Sequence, residues 1–177
     1  MSTPAAGRSP VSVLLLLMLS SLSCFNPFAP GLDTSPASSS CNPDSPNPED
    51  LFRCIQVAYT FRDTTVYAPL LDPTFVFIYR DYDQGGIDVT WGRDIELRTT
   101  LGLFQSAQRL DLIWNNIITT STDSSGLRAT IIRGFNLTVT FNPGDIPRVA
   151  GYANLTFERP SVTAPWKITR WRDESNY

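Results

Sequence analysis

From Asn47 onward the chain switches between two hydrophobic periods. Leu51, Phe52, Ile55, Ala58 and Tyr59 recur at helical spacing. They follow Asn47-Pro48-Glu49-Asp50, where Asn47 suits a cap, Pro48 the first helical position and the acids the positive end of the helix. The pattern predicts a helix to about Arg62. A shorter helix from Asp63 or Thr64 through Tyr67 and Leu70-Leu71 is predicted next, ended by Asp72-Pro73. Phe75, Phe77 and Tyr79 then alternate on one face of a strand over 74–79, and Asp81 to Gly86 read as a turn. Trp91 to Phe104 read as a third helix, with Leu97, Leu101 and Phe104 sharing a face.

Beyond that point the period is two. Strands are predicted over 110–120, 128–141, 148–158 and 165–172. The turns between them are Asp123-Ser124-Ser125-Gly126, Asn142-Pro143-Gly144-Asp145 and Arg159-Pro160-Ser161. Leu137, Val139 and Phe141 alternate with Asn136, Thr138 and Thr140, and Val149, Ala153, Leu155 and Phe157 alternate with polar neighbours. This is the pattern of an antiparallel meander with one buried face, which the helices must cover, so the class is α+β. Gly134 interrupts its strand and marks a bulge or bend.

The first part of the chain reads differently. Arg8 precedes the apolar run Val11 to Leu19, and Ser20 and Ser21 follow. That is the pattern of a signal peptide over 1–23, too short for a membrane-spanning helix. Residues 24–47 are rich in Pro, Ser and Asn and read as a disordered tether, leaving 48–177 as one domain. The stretch Leu19-Ser20-Ser21-Leu22-Ser23-Cys24 resembles the cleavage box of bacterial lipoproteins, with Leu22 one place later than that family's leucine. The resemblance implies diacylglycerol and acyl attachment at Cys24, and anchoring in the cell envelope through that lipid. Phe25, where a retention signal would place Asp, implies the outer membrane if the cell has one. Ordinary cleavage near Ser21 or Ser23 would instead give a secreted protein.

Composition narrows the chemistry. Fourteen Lys and Arg against 17 Asp and Glu give a net charge of −3, which does not suit a nucleic-acid partner. The chain has no histidine, so Ser-His-Asp and Cys-His nucleophiles are excluded. Three cysteines do not suit a Cys/His metal site, and no cofactor is implied. Cys41 and Cys54 either pair, pinning the tether to the first helix, or stay apart as a free thiol and a small buried hydrophobe. Asn136-Leu137-Thr138 and Asn154-Leu155-Thr156 match the glycosylation sequon but read as ordinary polar strand positions.

The order helix, short helix, strand, helix, four strands resembles the nuclear transport factor 2-like superfamily, also described as a cystatin-like cone. Tyr67 to Phe77 resemble that family's passage from short helix to first strand, and Trp166 to Glu174 its last strand. The resemblance implies a curved antiparallel sheet around about three helices, with an open mouth. It implies three possible roles. The leading one is non-catalytic binding of a small apolar ligand or a protein partner in the aromatic mouth. The second is an isomerase- or hydratase-like enzyme with a carboxylate base. The third is a structural module that dimerises through its outer sheet face, with Trp114 or Trp171 at the interface; a homodimer is in keeping with the family. The candidate site residues are Tyr59, Asp72, Tyr79, Asp88, Asp111, Trp114, Arg133 and Arg170, none matching a family catalytic position, so no catalytic residue is assigned. Asp72 reads more simply as a turn residue and Asp111 as solvated. A carboxylate deep in the cone within reach of a Tyr hydroxyl would favour the enzyme. A cone filled by Phe75, Phe77 and Leu155 would favour the structural module.

Overall fold

A computed structural model describes residues 41–176. Cys24 and its lipoprotein-like box lie outside the described residues. Helix α1 (Asp50–Phe61) presents Leu51, Phe52, Cys54, Ile55 and Ala58 to the core, as its periodicity predicts. The expected cap is displaced: Glu49 is the N-cap and makes no side-chain cap bond, while Asn47 accepts from the Glu49 N–H at 3.1 Å in the turn ahead of the helix. The helix ends at Arg62, the one non-glycine residue with positive φ (54°) among those described, whose N–H bonds back to the last carbonyls. Asp63 then caps α2 (Thr64–Tyr67) through the Thr65 N–H, and a 3-10 turn follows over Ala68–Leu70.

Six strands form one sheet: β1 (Leu71–Asp81), β2 (Ile87–Gly92), β3 (Arg109–Thr122), β4 (Arg128–Thr140), β5 (Arg148–Glu158) and β6 (Lys167–Asn176). Their order is β2-β1-β6-β5-β4-β3. All neighbours are antiparallel except β1 and β6, which run parallel and so close the meander onto the first strand. Helix α3 (Arg93–Ser106) lies between β2 and β3 in sequence. The result is three helices against a curved, mostly antiparallel sheet, the nuclear transport factor 2-like cone.

Curvature comes from β3. Trp114 pairs with Phe135 and Ile117 with Arg133, so Asn115 and Asn116 together oppose Gly134. A second irregularity lies between Ile117 and Thr119. Bulges of this kind bend a strand and raise its twist. Gly134 is where expected, but the extra residue sits on its partner strand. A Cβ there would stand 3.3 Å from the Asn115 Cβ, so glycine makes room for the bulge.

Three expectations are corrected. Trp91 belongs to the edge strand β2, and α3 starts at Arg93. Leu71 opens β1 rather than ending the short helix. Along α3 the buried line is Glu96, Thr100 and Phe104, while Leu101 is exposed. The residues ahead of α1 are also more engaged than a tether reading implies. Ser45 is buried and its hydroxyl bonds the Asp50 carboxylate. The Pro46 carbonyl accepts from the buried Trp166 indole at 2.8 Å.

Candidate functional site

The apolar face of the sheet is longer than the helices that cover it. Toward one end the cover is complete: Leu51, Phe52, Ile55, Phe75, Leu155, Phe157 and Ile168 form a closed core. Toward the other, α3 and the end of α1 stand away from the strands and leave a cavity of about 360 Å³. The cone is therefore open. Phe75 and Leu155 belong to the closed core, and Phe77 lines the open part.

Aromatic rings make up much of the wall. Phe77 and Trp91 stack with centroids 4.5 Å apart and planes at 10°, and Tyr79 leans on Trp91 at 5.4 Å. The stack follows from register, since Phe77 is directly opposite Trp91 across β1 and β2. Trp171 on β6 meets Phe77 and Trp114 at 6.0 and 6.4 Å. Trp114 is held by its indole N–H, which donates to the Phe52 carbonyl at 2.7 Å and ties β3 to α1. Leu112, Phe135, Leu137 and Val149 complete the apolar lining.

Two carboxylates interrupt this wall, Glu96 on α3 and Asp173 on β6. Glu96 is 5% exposed and accepts three hydrogen bonds. Tyr67 Oη donates to Oε1 at 2.8 Å, Thr100 Oγ1 to the same oxygen at 3.0 Å, and Trp91 Nε1 to Oε2 at 2.7 Å. A buried carboxylate requires such partners. Together they join α2, β2 and α3 around one anion and fix the Trp91 ring in the wall. Burial and the neighbouring Glu96 charge push the Tyr67 hydroxyl well above the usual tyrosine range, so it remains a neutral donor. Asp173 is half-buried, lies opposite Tyr79 across β1 and β6, and accepts the Ser175 N–H at 3.0 Å. The Trp171 indole N–H is buried without an acceptor among the described residues.

Of the residues singled out from sequence, Tyr59, Tyr79 and Trp114 come together in the cavity. The others do not join them. Asp72 accepts from the Thr74 N–H and hydroxyl as a local turn group. Asp88 is paired with Arg172 and Arg80 on the surface, and Asp111 with Arg109. Arg133 donates to the Asn115 carbonyl and lies 5.5 Å over the Phe52 ring, outside the cavity lining. Arg170 is exposed. Trp114 and Trp171, expected at an outer interface, face inward. Glu96 and Asp173 carried no sequence signal: one looks like a helix-surface acid, the other like a strand-end acid. The clue for Glu96 would have been its placement four residues before Thr100 and eight before Phe104, on one helical face.

Among the described residues no cluster of three or more metal-donor side chains converges, and no helix is long and apolar enough to cross a membrane. No family model matches the chain, and no curated protein does. Solved structures do. A conserved protein from Planctomyces limnophilus DSM 3776 matches at TM-score 0.60 and 17% identity, over 72% of this chain and 92% of that one. Kfla4162 from Kribbella flavida matches at TM-score 0.60 and 13% identity, over 73% and 88%. A putative scytalone dehydratase from Novosphingobium aromaticivorans DSM 12444 matches at TM-score 0.55 and 16% identity, over 72% and 82%. At such identities the likeness establishes the fold alone.

Proposed function

We propose that the cone acts on a small, flat, largely apolar molecule by carboxylate proton transfer, in an isomerase- or lyase-type reaction, with Glu96 as the base. The observation that carries this reading is Glu96, one of two carboxylates in the wall of a largely aromatic and aliphatic cavity, within hydrogen-bond reach of a Tyr hydroxyl. Apolar pockets with a few fixed polar groups are the usual form of small-molecule sites. The chain has no histidine, and carboxylates are among the side chains that serve as general bases in its place. Glu96 Oε1 accepts from Tyr67 and Thr100, while Oε2 accepts a single hydrogen bond, from Trp91, among the described residues. A proton on the carbon next to a substrate carbonyl or leaving group would pass to Oε2. It would then return to another carbon in an isomerisation, or the leaving group would depart in an elimination. The fold likeness to a putative dehydratase lends no chemistry; the reading rests on this chain's own residues.

Binding without turnover is the second reading. Its support is that Glu96 already holds three donors and so has a sufficient role as the anchor of Trp91. Glu96→Gln separates the two. Under the first reading the variant binds 2-naphthol as wild type does and loses turnover of small cyclic ketones or hydroxylated ring compounds. Under the second, wild type binds the probe and turns over none of the panel. We further propose that the domain works outside the cytoplasm, anchored by lipid at Cys24, on the strength of the basic, apolar and small-residue leader that ends in that cysteine.

A further inference from the structure

We propose that Cys41 and Cys54 form a redox pair that closes to a disulfide and fastens the segment ahead of α1 to the folded domain. Cys54 lies on the inner face of α1 with no exposure, and Cys41 is half-buried against the same core cluster. Both are free thiols, and they lie within hydrogen-bonding contact of each other. Contact between the two sulfurs is one condition that a disulfide must meet. The segment between them is already held by two further contacts, the Ser45 hydroxyl on Asp50 and the Trp166 indole on the Pro46 carbonyl. Bond formation therefore joins groups that packing has already placed together.

The two thiols have different roles. Cys54 has no exposure and so does not begin the exchange; burial, then the adjoining Cys41 thiol, also push its thiol above the usual cysteine range. Cys41 is reached by solvent and begins it. Its thiol gives up a proton, and the sulfur attacks one sulfur of an external disulfide, either a small-molecule disulfide or a thiol–disulfide oxidoreductase. That S–S bond breaks, leaving a mixed disulfide on Cys41 and releasing one thiol. Cys54 then loses its proton and attacks the Cys41 sulfur, expelling the second thiol. The protein gives up two protons and two electrons, and the external disulfide becomes two thiols. Once closed, the bond holds Pro46 against Trp166. Trp166 lies just ahead of β6, the strand that carries Trp171 and Asp173 to the cavity.

The test uses the purified full chain equilibrated in a series of oxidised and reduced glutathione mixtures, quenched with acid and mapped without reduction. The expected product is one cross-linked peptide pair joining Cys41 to Cys54, with the mass lower by two hydrogens. Thermal unfolding should then occur at a higher temperature in the oxidised than in the reduced protein, and Cys41→Ser should abolish that difference. Cys41 is used because its replacement leaves the closed core intact; Cys54→Ala supplies the second arm. The proposal is overturned if Cys41 stops at a glutathione adduct, if it pairs with Cys24 instead, or if both thiols remain alkylatable after unfolding across the whole series.

Discussion

Tyr67→Phe removes one hydroxyl from the buried network around Glu96. Tyr67 has no exposure, and its hydroxyl donates to Glu96 Oε1 at 2.8 Å. Phenylalanine fills the same space, so no cavity term enters, and the loss is that of a hydrogen bond to a buried carboxylate. Bonds to charged groups contribute about 1.5–3 kcal/mol, and Glu96 keeps its Thr100 and Trp91 donors, so a loss of about 2 kcal/mol is expected. With a urea slope of roughly 2 kcal/mol per M, the unfolding midpoint should fall by about 1 M, with the slope unchanged. The difference should also depend on pH. The Tyr67 hydroxyl titrates higher in the folded state than its usual value of 10.0. Its contribution is therefore complete below about pH 10 and is lost as pH rises through the folded value, because the unfolded state releases the proton first. The wild-type advantage over Tyr67→Phe should be constant between pH 6 and 9, a range chosen to lie below the onset at about pH 10, and shrink above it. A variant as stable as wild type at pH 7, or an advantage that widens in alkali, would refute the network argument.

Other consequences are equally specific. A Cβ at Gly151 would stand 2.3 Å from the Ser175 Cα and 2.7 Å from the Glu174 carbonyl, so Gly151→Ala must part β5 from β6. It should cost about 3 kcal/mol in chemical denaturation. Starting the chain at Pro48 removes the Pro46 acceptor and should leave the Trp166 indole unpaired, lowering stability by about 2 kcal/mol; equal stability would show the segment to be a passive tether. Replacing Cys24 with Ser should abolish labelling by a fatty-acid probe and free the protein from membranes, and unchanged fractionation and mass would refute lipid attachment.

The legible and illegible parts of the fold differ for physical reasons. Strands β4 and β5 are interior strands of the sheet, and their sequences show it by apolar residues at alternate positions, Leu137 and Val139 in one and Val149, Ala153, Leu155 and Phe157 in the other. Edge strand β2 has no buried face: Ile87 and Asp88 are exposed and only Val89 and Trp91 are half-buried, so Trp91 reads equally well as a helix start. Helix α3 misleads because its buried line is partly polar. Glu96 and Thr100 face inward only because Tyr67 and Trp91, distant or on another element, bring their donors to meet them. A hydrophobic periodicity cannot encode that, and so it shifts the predicted face onto Leu101. The same cause hides the site. Tyr59, Tyr79 and Trp114 are visible as aromatics, but the acid among them becomes notable only once its burial is known.

The most direct test of the central claim is turnover measured alongside binding for wild type, Glu96→Gln and Asp173→Asn. Each protein would be titrated with 2-naphthol by quenching of tryptophan fluorescence, then assayed against a panel of small cyclic ketones and hydroxylated ring compounds. If Glu96 is the base, all three bind the probe within a few-fold of one another, wild type turns over at least one member of the panel, and Glu96→Gln loses at least about 100-fold in kcat with KM little changed. Probe binding with no turnover by wild type, or turnover that survives in Glu96→Gln, would contradict it.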